Sequence, residues 1–220
     1  MSAAASKARV LIVEDHPLFR EALVQLINRQ QDLVACGECD DSREIAAAIE
    51  NQKPDLLLLD LMLNGAGGVD LIKQLHALFP KLRILVLSMH DESVFAARVL
   101  RAGALGYVMK QEASSHVIAA LRTVLAGEIH VSRKVGIALM QKAIAAPEGE
   151  GGDGVAKLSD RELHVFELIG AGVPTREIAK RLGISVKTAE THRQNIKHKL
   201  DLRSGSDLVT RAQDWVRGSG

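Results

Sequence analysis

The sequence has few aromatic residues: one Trp, one Tyr and four Phe among 220 residues. Its core is therefore left to aliphatic side chains. Cysteine is scarce as well, with only Cys36 and Cys39. One such pair excludes a disulfide framework and suits a reducing cytoplasm. Their C-x-x-C spacing is that of a redox or metal pair, but no second pair or nearby His-x-x-x-His follows. The plainer reading is two small apolar residues at the end of a strand. No apolar run approaches the length of a membrane span. The first eight residues, Met1 to Ala8, lack the apolar centre of a signal peptide. A cytoplasmic protein with no membrane partner is expected. Net charge is +1, which says nothing about partners for the chain as a whole.

The distribution of charge is more informative. Up to Glu128 there are 13 Lys and Arg against 16 Asp and Glu, a net of −3; from Ile129 onward the count is 15 against 11, a net of +4. An acidic front and a basic back predict two domains, the second with a polyanionic partner.

The front alternates short apolar runs with amphipathic stretches. Val10 to Val13, Leu56 to Leu59, Ile84 to Leu87 and Gly106 to Met109 read as strands, with a weaker one over Leu33 to Cys36. Wholly apolar runs of this length are expected of strands buried on both faces. Between them, apolar residues recur at helical spacing: Leu18, Phe19, Ala22, Leu23, Leu26 and Ile27, then Ile45, Ala46 and Ile49 behind a Ser42 cap. Val69, Leu71, Ile72, Leu75 and Leu78 mark a third helix, Glu92 to Ala102 a fourth, and Val117 to Leu125 a fifth. Strict alternation of this kind predicts an α/β doubly wound five-stranded parallel sheet. Right-handed crossovers then bring every strand's carboxyl end to one edge, where ligands bind in such sheets. A helix over Val131 to Ile144 follows. The stretch Ala145 to Gly154 is too polar and Gly-rich to bury anything and reads as a flexible linker. The expected boundaries are 1–128 for the first domain, 129–156 for the linker, and 157–220 for a small all-α domain.

The strand ends carry the chemistry. The first ends in Glu14-Asp15, the third in Asp60, the fourth in Ser88 and the fifth in Lys110. Three carboxylates crowded at one edge raise one another's pKa unless a cation sits between them. Oxygen ligands favour Mg²⁺. Lys110 adds a point charge for a phosphoryl oxygen, and Ser88 a hydroxyl donor. A carboxylate beside Mg²⁺ and Lys is equipped to attack a phosphoryl donor and become an aspartyl phosphate.

The segments Val13-Glu14-Asp15-His16, Leu59-Asp60-Leu61-Met62, Val86-Leu87-Ser88 and Gly103 to Lys110 resemble the receiver domains of response regulators, a CheY-like, flavodoxin-like fold, over about Arg9 to Gly127. The resemblance implies that Asp60 is phosphorylated. It implies that Glu14, Asp15, Asp60 and the Met62 carbonyl hold Mg²⁺, and that Lys110 and Ser88 bind the phosphoryl group. Tyr107 is then the aromatic that changes rotamer. The family usually has Pro where this chain has Asn64, which puts phosphoryl lifetime in doubt. A dinucleotide fold is disfavoured because Glu14-Asp15-His16-Pro17 stands where glycines should be. A phosphatase of the Asp-x-Asp kind is disfavoured because Asp60-Leu61-Met62 lacks the second acid.

In the basic part, Ser159-Asp160-Arg161-Glu162 is a capping box that starts a helix. Pro174-Thr175 starts a second, and Ser185 caps a third running from Val186 to about Leu200. The turn at Gly183 makes the last two a helix-turn-helix. Val186, Ala189, Ile196 and Leu200 are expected to point inward. Lys187, Thr188, Thr191, Gln194, Asn195 and His198 are expected largely outward, where such groups can read base edges. Arg193, Lys197 and Lys199 suit phosphates. A solvated helix face with no nucleic-acid role fits the same pattern. The run from Leu158 to Leu200 resembles the LuxR-type DNA-binding domain. That resemblance implies that Lys187, Thr188 and Thr191 approach bases, that Thr175, Arg176, His192, Arg193 and Lys197 lie near the backbone of double-stranded DNA, and that a fourth helix from about Ser206 forms a dimer contact.

Together the two resemblances point to the NarL/FixJ class. They imply a regulator that is not an enzyme, switched at Asp60 by a sensor histidine kinase and acting as a homodimer on DNA. The alternatives are a phosphorylation-independent DNA binder whose receiver serves protein interaction, and a phosphorelay intermediate whose helical domain is structural.

Overall fold

The computed structural model describes residues 6–63, 68–144 and 154–218. Asn64, most of the loop around it, and most of the Gly-rich linker lie outside the described residues.

The front of the chain is a parallel sheet in the order β2-β1-β3-β4-β5. The strands are β1 (Ala8–Val13), β2 (Leu33–Cys39), β3 (Leu56–Asp60), β4 (Arg83–Ser88) and β5 (Gly106–Met109). Between and after them run α1 (Pro17–Asn28), α2 (Ile45–Gln52), α3 (Gly68–Leu78), α4 (Glu92–Ala102) and α5 (Ala113–Leu125). Side chains alternate along each strand, so one face takes Val10, Ile12, Leu56, Leu58, Leu85 and Leu87 against α1 and α5. The other takes Leu11, Val13, Leu57, Leu59, Ile84 and Val86 against α2, α3 and α4. Both faces are covered, which is why these strands read as unbroken apolar runs.

Some local expectations are corrected. Strand β2 runs to Cys39, further than its weak pattern suggested, and its register on β1 jumps from Val10↔Ala35 to Leu11↔Gly37. Cys39 ends the strand, while Cys36 is the residue the register skips. Burial raises both thiol pKa values, which keeps the sulfurs protonated and unreactive. Helix α2 is not capped by Ser42: Glu44 takes that position, without a side-chain hydrogen bond. Leu18 and Leu78 keep helical spacing but are 83% and 65% exposed.

After α5 the chain returns along β5. Tyr107 N–H donates to the His130 carbonyl and His130 N–H to that of Leu105, both at 2.9 Å. Helix α6 (Arg133–Ile144) follows. The back of the chain is α7 (Asp160–Gly170), α8 (Thr175–Arg181), α9 (Val186–Lys199) and α10 (Gly205–Gly218). Both halves of the capping box form at α7: the Ser159 side chain accepts from Glu162 N–H, and the Glu162 carboxylate from Ser159 N–H. Gly183 joins α8 to α9 at a φ of +61°, a left-handed turn that residues with a Cβ resist.

The two parts meet along a seam. Asp160 of α7 receives Lys73 of α3 at 2.7 Å and Arg98 of α4 at 3.0 Å. His90, after β4, stacks on Trp215 of α10. The apolar core is continuous across this seam, from Phe95 to Phe166 and Trp215. A cavity of about 20 Å³, room for roughly one water, is lined by Met62, Val69, Phe95, Asp160, His164 and Glu167.

Candidate functional site

The sheet register assembles the first site. Val13 pairs with Leu59, Asp60 with Leu87, and Ser88 with Met109. The next residue in each strand therefore lands at the same edge: Glu14 and Asp15, Leu61, Met89, and Lys110. Asp60 and Ser88 close their own strands beside them.

Asp60 is 2% exposed and Glu14 fully buried. Lys110 Nζ lies 2.9 Å from Asp60 Oδ2 and 2.7 Å from Glu14 Oε2, and 5.0 Å from the centre of the Phe19 ring. Met62 N–H donates to Asp60 Oδ1 at 3.0 Å. Burial pushes the Asp60 carboxyl above its ordinary pKa, against the pull of Lys110 and of the Met62 amide. Burial also works against the Lys110 ammonium, but Asp60 and Glu14 outweigh it, and its pKa stands above the ordinary value.

Glu14, Asp15, His16 and Asp60 each offer a ligand atom within 4.8 Å of the others. His16 Nδ1 lies 2.8 Å from Asp15 Oδ1 and 3.0 Å from Glu14 Oε1. Glu14 Oε2 and Asp15 Oδ1 are shut off from solvent, and the charged groups facing them are Lys110 and His16. Shielded carboxylate oxygens clustered at such close quarters are a donor set that fits a hard divalent cation.

Ser88 is fully buried, and its Oγ accepts from His90 N–H at 3.1 Å. Tyr107 is 1% exposed, and its hydroxyl donates to the His90 carbonyl at 2.9 Å. Burial drives the phenol pKa far up, with a Ser88 hydrogen bond opposing, so the hydroxyl stays a donor. His90, Glu167 and Trp215 were not singled out in the sequence. A polar residue after a strand, an acid inside a helix and a Trp near the end carry no motif, and only the fold brings them together.

The second candidate surface is α9. Lys187, Thr188, Thr191, Gln194, Asn195 and His198 are exposed, as is Arg176 on α8. Thr175, His192, Arg193 and Lys197 are half-buried. Ser185 caps α9 by accepting from Thr188 N–H at 3.0 Å. The Thr191 hydroxyl donates back to the Lys187 carbonyl at 3.0 Å. Ala189 and Ile196 are buried as expected and Leu200 half-buried, but Val186 is 40% exposed at the first turn. Lys199 does not stand free for phosphate: it pairs with Glu162 at 2.6 Å and so ties α9 to the start of α7.

Comparison with known proteins adds to this geometry. Residues 10–122 match the response regulator receiver domain, and residues 156–212 the bacterial regulatory proteins of the luxR family. The oxygen regulatory protein NreC of Staphylococcus haemolyticus is 33% identical over 205 residues, covering 91% of this chain and 94% of that protein. The NreC of Staphylococcus aureus is 34% identical with the same coverage. RcsB of Salmonella enterica serovar Typhimurium, solved bound to a promoter in the presence of the phosphomimetic BeF3−, aligns with a TM-score of 0.74 at 27% identity, over 95% of this chain and 100% of that one. A second RcsB–DNA complex aligns with a TM-score of 0.72 at 25% identity, over 93% and 98%.

Proposed function

The chain belongs to the two-component response regulators of the NarL/FixJ class, and from that premise we propose that a phosphoryl group on Asp60 governs its binding to double-stranded DNA. The observation that carries this reading is the register that sets Asp60, Lys110, Ser88 and two further carboxylates at one sheet edge.

In this reading an Asp60 carboxylate oxygen attacks the phosphorus of a phosphohistidine on a sensor kinase, or of a small acyl phosphate. The bond from phosphorus to the donor breaks, and the donor leaves with its electron pair. Glu14, Asp15, Asp60 and the Met62 carbonyl would hold Mg²⁺, which supplies positive charge beside the transferring phosphoryl oxygens. Lys110 is already within ion-pair distance of Asp60 and balances the remaining charge. Ser88 donates its hydroxyl to a phosphoryl oxygen, and Tyr107 follows it as the switch aromatic. On the DNA side, Lys187, Thr188, Thr191 and Asn195 face the major groove. Thr175, Arg176, His192, Arg193 and Lys197 lie along the phosphates. A homodimer joined through α10 reads two half-sites about one helical turn apart.

Intact mass after incubation with Mg²⁺ and acetyl phosphate tests the first half. One phosphoryl group is expected on the wild type and none on Asp60→Asn. DNA affinity with and without BeF3− tests the second half, and it should fall steeply with salt. One observation favours a second reading, a phosphorylation-independent DNA binder: the base-facing residues of α9 are exposed while the two domains are docked. Equal DNA affinity of wild type and Asp60→Asn under phosphorylating conditions would select that reading.

A further inference from the structure

His90 belongs to neither proposed site, yet it is held from both sides of the domain seam. Its N–H donates to Ser88 Oγ at 3.1 Å, and its carbonyl accepts from the Tyr107 hydroxyl at 2.9 Å. Both members of the switch pair thus grip the backbone of one residue. Its ring, in a residue 8% exposed, stacks on Phe95 of α4 at 5.0 Å and on Trp215 of α10 at 5.6 Å, and those two rings are themselves 6.2 Å apart. Its Nε2 faces Glu167 Oε1 of α7 at 3.4 Å. Trp215 packs in turn on Phe166 of α7, with ring centres 5.8 Å apart.

Among the described residues, charged and aromatic contacts across the seam include those of Asp160 and Glu167 of α7 and of Trp215 of α10. Among the described contacts none comes from α9, whose outward face stays open. The receiver therefore does not cover the base-reading residues. What it holds is α7, through Asp160 and Glu167, and α10, through Trp215 packed on His90 and Phe95.

We infer that His90 is the residue that transmits the state of the Ser88–Tyr107 pair to the DNA-binding domain, by placing or withdrawing the ring against which Trp215 docks. This rests on the phosphoryl-switch reading above. Drawing the Ser88 hydroxyl toward a phosphoryl oxygen takes it from the His90 N–H. A buried N–H without an acceptor is unfavourable, so the peptide reorients to regain one. The ring moves with the peptide and the stack with Trp215 opens. The switch biases a docking equilibrium that exists at rest rather than creating a new contact.

Trp215 is the sole Trp of the chain, so tryptophan fluorescence reads this contact directly. With saturating Mg²⁺ and BeF3−, the full-length wild type is expected to show a red-shifted emission and greater quenching by acrylamide; Asp60→Asn is expected to show neither. His90→Ala should start from the red-shifted emission, fail to respond to BeF3−, and still gain one phosphoryl group by intact mass. His90→Phe keeps a stacking ring and should keep both the buried emission and the response. Phosphoryl gain with unmoved Trp215 emission in the wild type overturns the coupling alone. A full response in His90→Ala overturns it too. Absence of phosphoryl gain from acetyl phosphate and kinase alike overturns the receiver reading beneath it.

Discussion

Lys110 stands between two buried carboxylates, 2.7 Å from Glu14 and 2.9 Å from Asp60, with its own side chain 8% exposed. Two anions at that separation, cut off from water, repel strongly without a cation. The ammonium is thus a structural group before it is a chemical one. Breaking a buried pair by removing one partner costs roughly 3–5 kcal/mol, because the other charge is left uncompensated. Lys110→Ala should therefore melt well below wild type in a chelator. Millimolar Mg²⁺ should restore much of the difference, because a cation bound only by the folded state stabilises it by mass action. The variant should still fail to hold a phosphoryl group. Thermal melts with chelator and with Mg²⁺, beside intact mass, check this; a variant as stable as wild type in chelator would show that Lys110 carries no such charge balance. The same residue shows what was legible beforehand. Lys110, Asp60 and Ser88 each follow an apolar run, so topology alone placed them together. Their distances, and the fact that Met62 meets Asp60 through its amide, depend on side-chain and loop geometry that no residue pattern encodes.

At the level of elements, what was legible was whatever burial on both faces imposes. Strands β3 and β4 stand out because almost every residue in them must be apolar. The edge strand β2 extends past its apolar pattern, since an edge strand with an irregular register shows no such run. Helix starts were legible where a side chain does the capping, as at Ser159 and Ser185, and misread at α2, where none does. Val186 was expected inside because it is apolar. It sits in the first turn of α9 and stays 40% exposed, while Ala189 one turn on is buried. The packing of α10 on α7 was not legible at all. It depends on Gly170, where a Cβ would meet the Ala212 carbonyl oxygen at 2.4 Å and Val216 Cγ2 at 2.5 Å. In an open helix, Gly→Ala gains roughly 0.5–1 kcal/mol. Here overpacking against backbone, about 1–3 kcal/mol, should win. Gly170→Ala is expected to lower the denaturation midpoint followed by Trp215 fluorescence. A raised midpoint would mean that α10 yields freely. Ser159→Ala should cost about 1 kcal/mol through the lost cap, read in the same denaturation curve.

For the whole molecule, the decisive feature is that docking the two domains buries ionisable groups as well as apolar ones. Burial pushes Glu167 up to about 8 and His90 and His164 down to about 4. Arg98 acts on Glu167 against the shift; Arg161 and Asp70 act on His164 in opposite senses. Burial disfavours the Asp160 carboxylate, but Lys73 and Arg98 outweigh it and lower its pKa, so Asp160 stays ionised near neutrality. The signs follow from which state binds the proton. Glu167 has its higher pKa when docked, so its docked form is favoured at low pH and loses ground as pH rises from its ordinary value toward 8. The two imidazoles have their lower pKa when docked, so they oppose docking as pH falls from 6.5 toward 4. Between pH 6.5 and 8 only Glu167 changes, and each unit of pH weakens docking by up to about 1.4 kcal/mol. Below 6.5 one carboxyl is set against two imidazoles, and acid weakens docking instead. Docking should therefore be tightest near pH 6.5. Acrylamide quenching of Trp215 in the resting chain should pass through a minimum there and rise on both sides. Glu167→Gln should flatten the alkaline rise and leave the acid one intact. A quenching profile level from pH 6 to 8.5, or an alkaline rise that survives Glu167→Gln, would remove Glu167 from the seam's proton balance.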